Sequence, residues 1–204
     1  MDAATARYLG TQDGRMAYVR AIETYYGAAG DDGAGKKRVE RLLLPLTQTA
    51  DMAMPLVIVT SNDSVNAYAL PGAIVVHAGM LAFVKDDDEL SVFLAHELGH
   101  LALDHPLRGI RRSMRARYFA RRAAKADSLD DGAKAFVQAA RHADLGLHEE
   151  READVWAAQL LPRAGVSSEA AVRLWVRCED AGIGGKGVSH PSYEERKRIY
   201  GGDS

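Results

Sequence analysis

The chain contains 204 residues, 47% of them hydrophobic, and carries a formal net charge of −2 at pH 7. A chain of this length can bury a substantial core in one domain, or in two at most. Its near-neutral charge gives no general attraction to nucleic acid, and we expect no nucleic-acid partner. Cys178 is the only cysteine, which excludes an internal disulfide. No segment approaches the ~18 consecutive apolar residues of a transmembrane span, and the first five residues lack the features of a signal peptide. We therefore expect a soluble protein, periplasmic or envelope-associated if a leader has been removed and cytoplasmic otherwise.

The N-terminal part of the chain is predicted to be helical and separate from the rest. Residues 3–26 favour one or two helices, broken at Gly10 and Gly14, and a Gly- and Asp-rich linker follows them. We therefore divide the chain into an N-terminal helical segment with its linker, residues 1–35, and a main domain, residues 36–204.

A small sheet is predicted after the first helix of the main domain. That helix is expected at residues 36–49, where Pro45 would bend or end it. Residues 56–60 and 73–77 are short apolar runs that are typical of buried strands. The extended segment at 66–76 lies just before the next helix, and we expect it to form the edge of the sheet.

The most informative motif is His96-Glu97-Leu98-Gly99-His100. Acidic residues at 86–89 precede it as an N-cap and first turn, and apolar residues follow at helical spacing, so the motif lies within a largely buried helix. Residues four apart share one helix face, so His96 and His100 can bind one zinc ion while Glu97 reaches a bound water. The alternative, two core histidines with a partner glutamate, would bury polar groups without evident compensation.

The residues directly after the motif do not supply the third protein ligand that such a zinc site needs. A metzincin site requires Gly at position 103 and His at position 106, and Leu103 and Pro106 exclude it. His105 follows His100 by five residues, roughly 140° around a continuous helix. We therefore expect His105 to point away from the metal and to end the helix before Pro106.

A second helix with an acidic start, predicted over residues 149–161, offers the remaining ligand candidates. Glu150 and Asp154 are one turn apart on the same face, whereas Glu149 and Glu152 are rotated away from it. Glu150 can therefore be the third ligand, and Asp154 can accept the hydrogen bond that fixes the tautomer of a ligand histidine. The alternative is a solvated acidic first turn, which the helix dipole favours.

A basic segment lies between the two ligand helices. Residues 108–125 contain eight basic residues and no acidic one. Their apolar positions recur at helical spacing, and an amphipathic helix of this kind can contact an anionic membrane surface or nucleic acid, so peripheral membrane contact through 107–125 is an alternative. Because the segment lies between the two ligand helices, a lid or substrate-facing flap is another. We favour instead a solvated face whose arginines pair with acidic residues at 127–131 and 149–152. The other elements predicted in this half are three helices and a Gly-rich loop, at 107–126, 133–144, 168–180 and 182–187.

Four blocks, in order along the chain, resemble those of the gluzincin family of zinc metallopeptidases that includes HtpX, the Oma-type proteases and the CAAX prenyl proteases. The first is Asn66–Gly72 with the apolar run at 74–76, and the second is the H-E-x-x-H motif. Glu150–Asp154 matches the E-x-x-A-D motif of that family, and His190-Pro191 matches its C-terminal H-P segment. The resemblance covers about residues 38 to 200.

The resemblance implies an α+β fold: a mostly helical, zincin-like metalloprotease domain with one small β-sheet next to the helix of the H-E-x-x-H motif. It implies that His96, His100 and Glu150 bind Zn²⁺, one ion per chain. Glu97 would then be the catalytic base, and Asp154 would orient a ligand from outside the coordination sphere.

The resemblance also implies a reaction. We expect a zinc-dependent endopeptidase that hydrolyses peptide bonds of protein substrates by a metal-activated water, with Glu97 as general base. His190 would lie near the metal and stabilise the oxyanion or gate the open position; a surface-loop histidine before proline is the alternative. A protein or peptide substrate would bind as an extended strand along residues 66–76. The alternative function is a zinc-bound, protease-like scaffold that acts as a client-binding or chaperone-like module with little turnover.

Overall fold

The computed structural model of the protein describes residues 3–28, 30, 33–183 and 190–201. These residues form helices around one small sheet, which confirms the expected α+β class. The helices are α1 (Ala3–Leu9), α2 (Gln12–Tyr26), α3 (Gly33–Thr49), α4 (Ala78–Phe83), α5 (Asp87–Ala102), α6 (His105–Arg112), α7 (Met114–Lys125), α8 (Leu129–Arg141), α9 (Leu147–Arg163), α10 (Ser168–Asp180) and α11 (Tyr193–Gly201). The strands are β1 (Leu56–Thr60), β2 (Ala67–Leu70) and β3 (Ala73–His77).

The sheet has the strand order β1-β3-β2. β3 is central and pairs in parallel with β1, with Val57 opposite Ile74, and antiparallel with β2, with Ala69 opposite Ile74. All five residues of β3 are buried, as expected for a central strand with an apolar run. The strands predicted at 56–60 and 73–77 are confirmed. The expectation that residues 66–76 form an edge holds for β2, which is an edge strand, but is wrong for residues 73–76, because they lie in the central strand β3 and pair on both sides.

Two apolar clusters lie on opposite faces of the sheet, because successive side chains of a strand alternate between its faces. Ile74 and Val76 belong to the first cluster, which also contains residues of α3, α5, α9 and α10. Ala73 and Val75 belong to the second cluster, which is completed by residues of α2 and α8. The two helices that carry the predicted metal ligands therefore share one core.

Helix α5 forms where the acidic start predicts it, and it is almost wholly buried. The Asp86 carboxylate caps the helix by accepting a hydrogen bond of 2.8 Å from the backbone N–H of Glu89. Gly99 lies where α5 crosses α9: a Cβ at this position would lie 3.1 Å from the Ala153 carbonyl oxygen. The absence of a side chain at Gly99 therefore lets the two helices approach closely enough for their polar side chains to meet.

The N-terminal helices pack against the second cluster. Tyr8 and Tyr18 both lie against the ring of Phe136 in α8, at centroid distances of 5.2 and 5.8 Å. The break predicted at Gly10 is confirmed, but the break predicted at Gly14 is wrong, because Gly14 lies inside α2. Its backbone N–H is bonded to the Thr11 hydroxyl that caps this helix. The division of the chain at residue 35 stays a prediction.

Helix α3 continues through Pro45 to Thr49, so the prediction that Pro45 could end it is wrong. Proline removes one backbone hydrogen bond, but the helix is anchored on both sides of it: Val39, Leu43 and Leu46 are all fully buried in the first cluster. Tertiary packing therefore outweighs the local cost of the proline.

The basic segment forms two helices rather than one. Ser113 separates α6 from α7, and its hydroxyl caps α7 by accepting a hydrogen bond from Ala116. Arg112 pairs with Glu149, and Arg108 lies 3.7 Å from Glu152, so part of the predicted pairing is present. The arginines of α7 make no ion pair within the described part of the chain.

Helix α8 begins at Leu129, four residues before its predicted start, because the Ser128 hydroxyl caps it. The Gly-rich loop predicted at 182–187 lies mostly outside the described residues. Among the helices that are described, none is both long enough and apolar enough to cross a lipid bilayer.

Candidate metal centre

The contact between α5 and α9 brings three of the predicted ligands together. The Nε2 atoms of His96 and His100, one turn apart on α5, lie 3.1 Å from each other. Glu150, in the first turn of α9, places its carboxylate oxygens 3.4 Å from Nε2 of His96 and 3.5 Å from Nε2 of His100. All three side chains are buried. Within the described ranges, these side chains form the one group of three or more His, Cys, Asp and Glu residues that could hold a metal ion.

This group fits a zinc ion in both spacing and chemistry. Zinc binds nitrogen and carboxylate oxygen at 2.0–2.2 Å in a tetrahedral arrangement, which sets neighbouring donor atoms about 3.3 Å apart. The separation of the two Nε2 atoms, 3.1 Å, and that of His96 Nε2 from Glu150 Oε2, 3.4 Å, lie close to that spacing, and His100 Nε2 lies 3.5 Å from the other oxygen of the same carboxylate, Oε1. Two imidazoles and one carboxylate form a mixed nitrogen and oxygen set, whereas Mg²⁺ and Ca²⁺ prefer oxygen ligands alone. Three protein donors also leave one tetrahedral position for water or substrate.

His96 is held from behind by a group that we call the Asp154 side: Asp154, Arg196 and Tyr200. His96 Nδ1 donates to Asp154 Oδ1 over 2.9 Å, since a carboxylate can only accept. The buried Asp154 also accepts from Arg196 Nε over 2.8 Å and from the Tyr200 hydroxyl over 3.0 Å. The guanidinium of Arg196 lies 4.1 Å from the ring centre of Trp175. This arrangement directs the Nε2 lone pair of His96 towards the other two donors.

His100 is backed by a second group, the His105 side: His105 and Glu152. Helix α5 ends at Ala102, Asp104 adopts a left-handed conformation with φ of 57°, and His105 begins α6. His105 Nδ1 therefore lies 2.9 Å from His100 Nδ1, and His105 Nε2 lies 3.2 Å from Glu152 Oε2. The expectation that His105 ends the helix of the motif is wrong, because α5 ends at Ala102 and His105 begins α6. As expected, His105 is not among the candidate ligands: it contacts Nδ1 of His100, on the side of that ring away from the metal position.

Glu97 is adjacent to the ligands on α5 and is 8% exposed. Burial raises the pKa of its carboxyl to about 7; the charge of His96 and a backbone hydrogen bond from Ala69 act against this shift, and the charge of Glu150 adds to it. Ala69 belongs to the edge strand β2. Glu97 therefore lies between the candidate ligands and the sheet edge.

His190, which precedes α11, also reaches the centre. Its Nδ1 atom lies 2.7 Å from Glu150 Oε2, and its side chain is 42% exposed, whereas that of Glu150 is 8% exposed. His190 thus contacts the candidate ligand set from its solvent side. The structure brings all six predicted site residues into one constellation.

The charges of the centre are strongly coupled in the metal-free protein. Burial opposes ionisation of Glu150, but hydrogen bonds from His190 and His96 hold the pKa of its carboxyl well below the usual range. Burial also acts to lower the pKa of His96, but the charges of Asp154 and Glu150 outweigh it and raise that pKa to about 10. Burial and the neighbouring charge of His96 lower the pKa of His100 to about 3. The pKa values of the three side chains therefore depend on one another as well as on burial.

The donor atoms face a cleft of about 600 Å³. β2 forms one wall of this cleft, and side chains of α2 and α8 lie at one end of it. The polar side chains that line it include Asn66, Tyr68, His77, His96, Glu97, His100, Arg141, Glu150, His190 and Arg196. A cleft of this kind, with a metal-binding group on one wall and an open sheet edge on another, can hold an extended chain.

Sequence reasoning missed several residues that support the ligands. Helical spacing separates Glu152 from Glu150, but it gives no sign that Glu152 meets His105 from the preceding helix. Arg196 and Tyr200 share one side of α11 by their four-residue spacing, which was an available signal. Their common partner Asp154 lies more than 40 positions away and only the tertiary fold reveals it.

Comparison with known proteins agrees with this geometry. Residues 34–199 match the model of peptidase family M48. Over 59 residues the chain is 39% identical to the mitochondrial metalloendopeptidase OMA1 of Arabidopsis thaliana, a match that covers 28% of this chain and 12% of that protein. The chain therefore corresponds to a small part of this relative. Because the family match spans most of the sequence and includes all six predicted site residues, the chain belongs to peptidase family M48.

Proposed function

We propose that this protein is a zinc-dependent endopeptidase that hydrolyses peptide bonds within protein substrates. One observation carries the proposal: His96, His100 and Glu150 converge with the spacing of a tetrahedral zinc site, and Glu97 is adjacent to them. The similarity to a metalloendopeptidase supports an internal cleavage site rather than removal of terminal residues.

His96, His100 and Glu150 would hold the zinc ion. Bound there, zinc would lower the pKa of a coordinated water towards ~7 and polarise the carbonyl of the scissile bond. Asp154 keeps the proton of His96 on Nδ1, so that Nε2 is available as a ligand. Arg196 balances the charge of Asp154, which stays ionised although it is fully buried.

Glu97 would move the proton during the reaction. It accepts a proton from the attacking water and returns it to the amine of the leaving product, so the carboxylate is restored in each turnover. A carboxyl that is nearly buried exchanges protons near neutral pH, which suits both steps. His190 contacts Glu150 from the cleft and would donate a hydrogen bond to the developing oxyanion.

The edge of β2 would align the substrate. His77 N–H donates to the Asn66 carbonyl across the antiparallel pair, so the alternation of that ladder points the backbone groups of Ala67 and Ala69 away from β3. The Ala69 N–H lies against Glu97, which fixes the position of this edge relative to the general base. An extended peptide added to this edge would pass the candidate ligands, with main-chain pairing that tolerates many sequences.

Metal analysis and peptide cleavage test the proposal together. We expect one zinc ion per chain after purification, and cleavage of casein or of an internally quenched peptide. Glu97→Gln should lower kcat by about 10²- to 10⁴-fold, the usual contribution of a general base, with zinc still bound. Glu40→Gln is the matched control, since Glu40 is only partly buried on α3 and its contact with Lys36 is a loose 3.7 Å. Failure of the zinc-loaded wild type to cleave, or full activity of Glu97→Gln, would contradict the proposal.

A further inference from the structure

We propose that His105 and Glu152 position His100 for metal binding by fixing its tautomer through a two-step hydrogen-bond relay. The inference rests on the proposed function, because it concerns the zinc ligand His100. His105 touches neither the substrate cleft nor the metal side of the centre, so its role is that of a positioning residue.

The direction of each hydrogen bond follows from the acceptor at the end of the relay. An ionised carboxylate has no proton to give, so Glu152 accepts from His105 Nε2 over 3.2 Å. A neutral imidazole with its proton on Nε2 has a lone pair on Nδ1. His100 Nδ1, 2.9 Å away, must therefore be the donor of the next bond. The remaining nitrogen of His100, Nε2, then carries a lone pair and faces Glu150 at 3.5 Å.

The neutral state of His105 is set by its surroundings. Its side chain is fully buried, and its one carboxylate partner, Glu152, is 34% exposed and is shared with Arg108 and His148. A buried charge on His105 would have little compensation there. A neutral His105 keeps one donor and one acceptor, and both are used.

The two ligand histidines reach the same tautomer by different means. His96 donates its Nδ1 proton directly to Asp154, which is buried. No carboxylate contacts Nδ1 of His100 among the described residues. The ring of His105 lies there instead; it accepts the hydrogen bond from His100 and donates one to Glu152. Both ligands therefore present Nε2 to the same point.

A purely structural role for His105 does not explain this geometry. His105 is the first residue of α6, and the start of that helix does not require its imidazole to accept a hydrogen bond from a side chain of α5. The left-handed residue Asp104 provides the sharp reversal that returns the ring to His100, and a non-glycine residue adopts this conformation only at some energetic cost. Contact between the imidazoles of His100 and His105 explains why the chain adopts this costly turn at Asp104.

Variants that keep or remove the acceptor test the relay. The amide oxygen that His105→Asn introduces would occupy the place of the His105 Nδ1 atom, so we expect this variant to retain zinc affinity, whereas His105→Leu removes the acceptor. His105→Leu should weaken zinc binding by about 10- to 100-fold in competition with a chelator. Glu152→Met should weaken it in the same direction and Glu152→Gln much less, since glutamine keeps an acceptor oxygen of the same reach. His142→Leu is the control, because His142 stacks on Phe119 away from the centre.

A second readout needs no metal. In the metal-free wild type and in His105→Asn, nitrogen-15 NMR of the imidazoles should show the His100 proton on Nδ1, and in His105→Leu it should shift towards Nε2. Unchanged zinc affinity and an unchanged His100 tautomer in His105→Leu would overturn the relay. Absence of zinc binding by the wild type would instead overturn the proposed function, and the tautomer measurement would still decide whether His105 positions His100.

Discussion

The two sides of the centre differ in how they are built. The Asp154 side is dry: Asp154 is fully buried, its Arg196 partner is 5% exposed, and Tyr200 closes the group. On the His105 side the terminal carboxylate, Glu152, is 34% exposed and lies among solvated basic residues. Both sides hold an imidazole in the same tautomer, but only the Asp154 side requires an ion pair to be buried.

Because of this difference, we expect the Asp154 side to affect mainly folding stability and the His105 side to affect mainly metal binding. A buried ion pair whose partner is removed leaves an uncompensated charge, whereas an exposed carboxylate can be lost with little effect on stability. The Asp154 side is therefore part of the core that holds α9 and α11 together. The His105 side acts mainly on the orientation of one ring.

The largest effect is expected from breaking the Asp154 side. Asp154→Ala should lower the free energy of unfolding of the metal-free protein by about 3–5 kcal/mol, because the buried Arg196 then loses its hydrogen-bonded carboxylate and keeps only the looser contact of 3.8 Å with Glu150. Glu152→Ala should cost less than about 1 kcal/mol, although it weakens zinc binding. Urea denaturation of both variants gives the comparison. The double variant Asp154→Ala/Arg196→Leu should recover part of the loss, and equal losses in the two single variants would contradict the distinction.

A smaller loss of stability is expected from a substitution at Gly99, which lies between the Asp154 side and the His105 side where α5 crosses α9. Gly99→Ala adds a methyl group 3.1 Å from the Ala153 carbonyl oxygen and 3.3 Å from its Cα, and backbone atoms cannot move aside easily. The better helix propensity of alanine, about 1 kcal/mol, offsets part of an overpacking cost of about 1–3 kcal/mol. We expect a net loss of about 1–2 kcal/mol together with weaker zinc binding, since both sides shift with α9.

Gly33→Ala is the matched control for this substitution, because a Cβ at Gly33 meets no atom within 4 Å. It should leave both stability and zinc affinity near the wild-type values. Stabilisation by Gly99→Ala would show that the contact between α5 and α9 is looser than its geometry indicates.

The smallest effect is expected from Cys178, and it tests whether the Asp154 side excludes solvent. Burial raises the pKa of the Cys178 thiol to about 12, and nearby Arg196 only partly opposes this. Because the folded pKa lies above the unfolded value near 9, the contribution of Cys178 is fully present below pH 9 and is lost between pH 9 and 12. Unfolding measured at pH 8 and pH 10 should show a decline that is about 1 kcal/mol smaller in Cys178→Ala. An identical decline in both proteins would show that solvent reaches this side.

Local sequence rules accounted well for the parts that are fixed within one element. The acidic cap at Asp86, the strand at 56–60 and the shared face of Glu150 and Asp154 all follow from propensity and spacing, and the structure contains each of them. These features depend on residues at most a few positions apart, so the local sequence pattern is sufficient to predict them.

The features that the sequence did not disclose depend on chain reversals and on tertiary packing. The position of His105 depends on Asp104 adopting a left-handed conformation, which aspartate tolerates but does not announce. The continuation of α3 through Pro45 depends on the burial of Leu43 and Leu46 against other elements. In each case an angle or a break inferred from one helix was overridden by contacts with another part of the chain.

Five consecutive residues of α9 contain three of the carboxylates of the centre: Glu150, Glu152 and Asp154. Glu150 and Asp154 lie on one side of the helix and Glu152 on the opposite side, so one helix supplies a candidate metal ligand and one carboxylate that supports each ligand histidine. A change in the conformation or position of α9 would therefore disturb all of these contacts at once. The candidate ligands and their supporting side chains therefore come together only when α9 is intact, and under the proposed function metal retention would report on the integrity of this one helix.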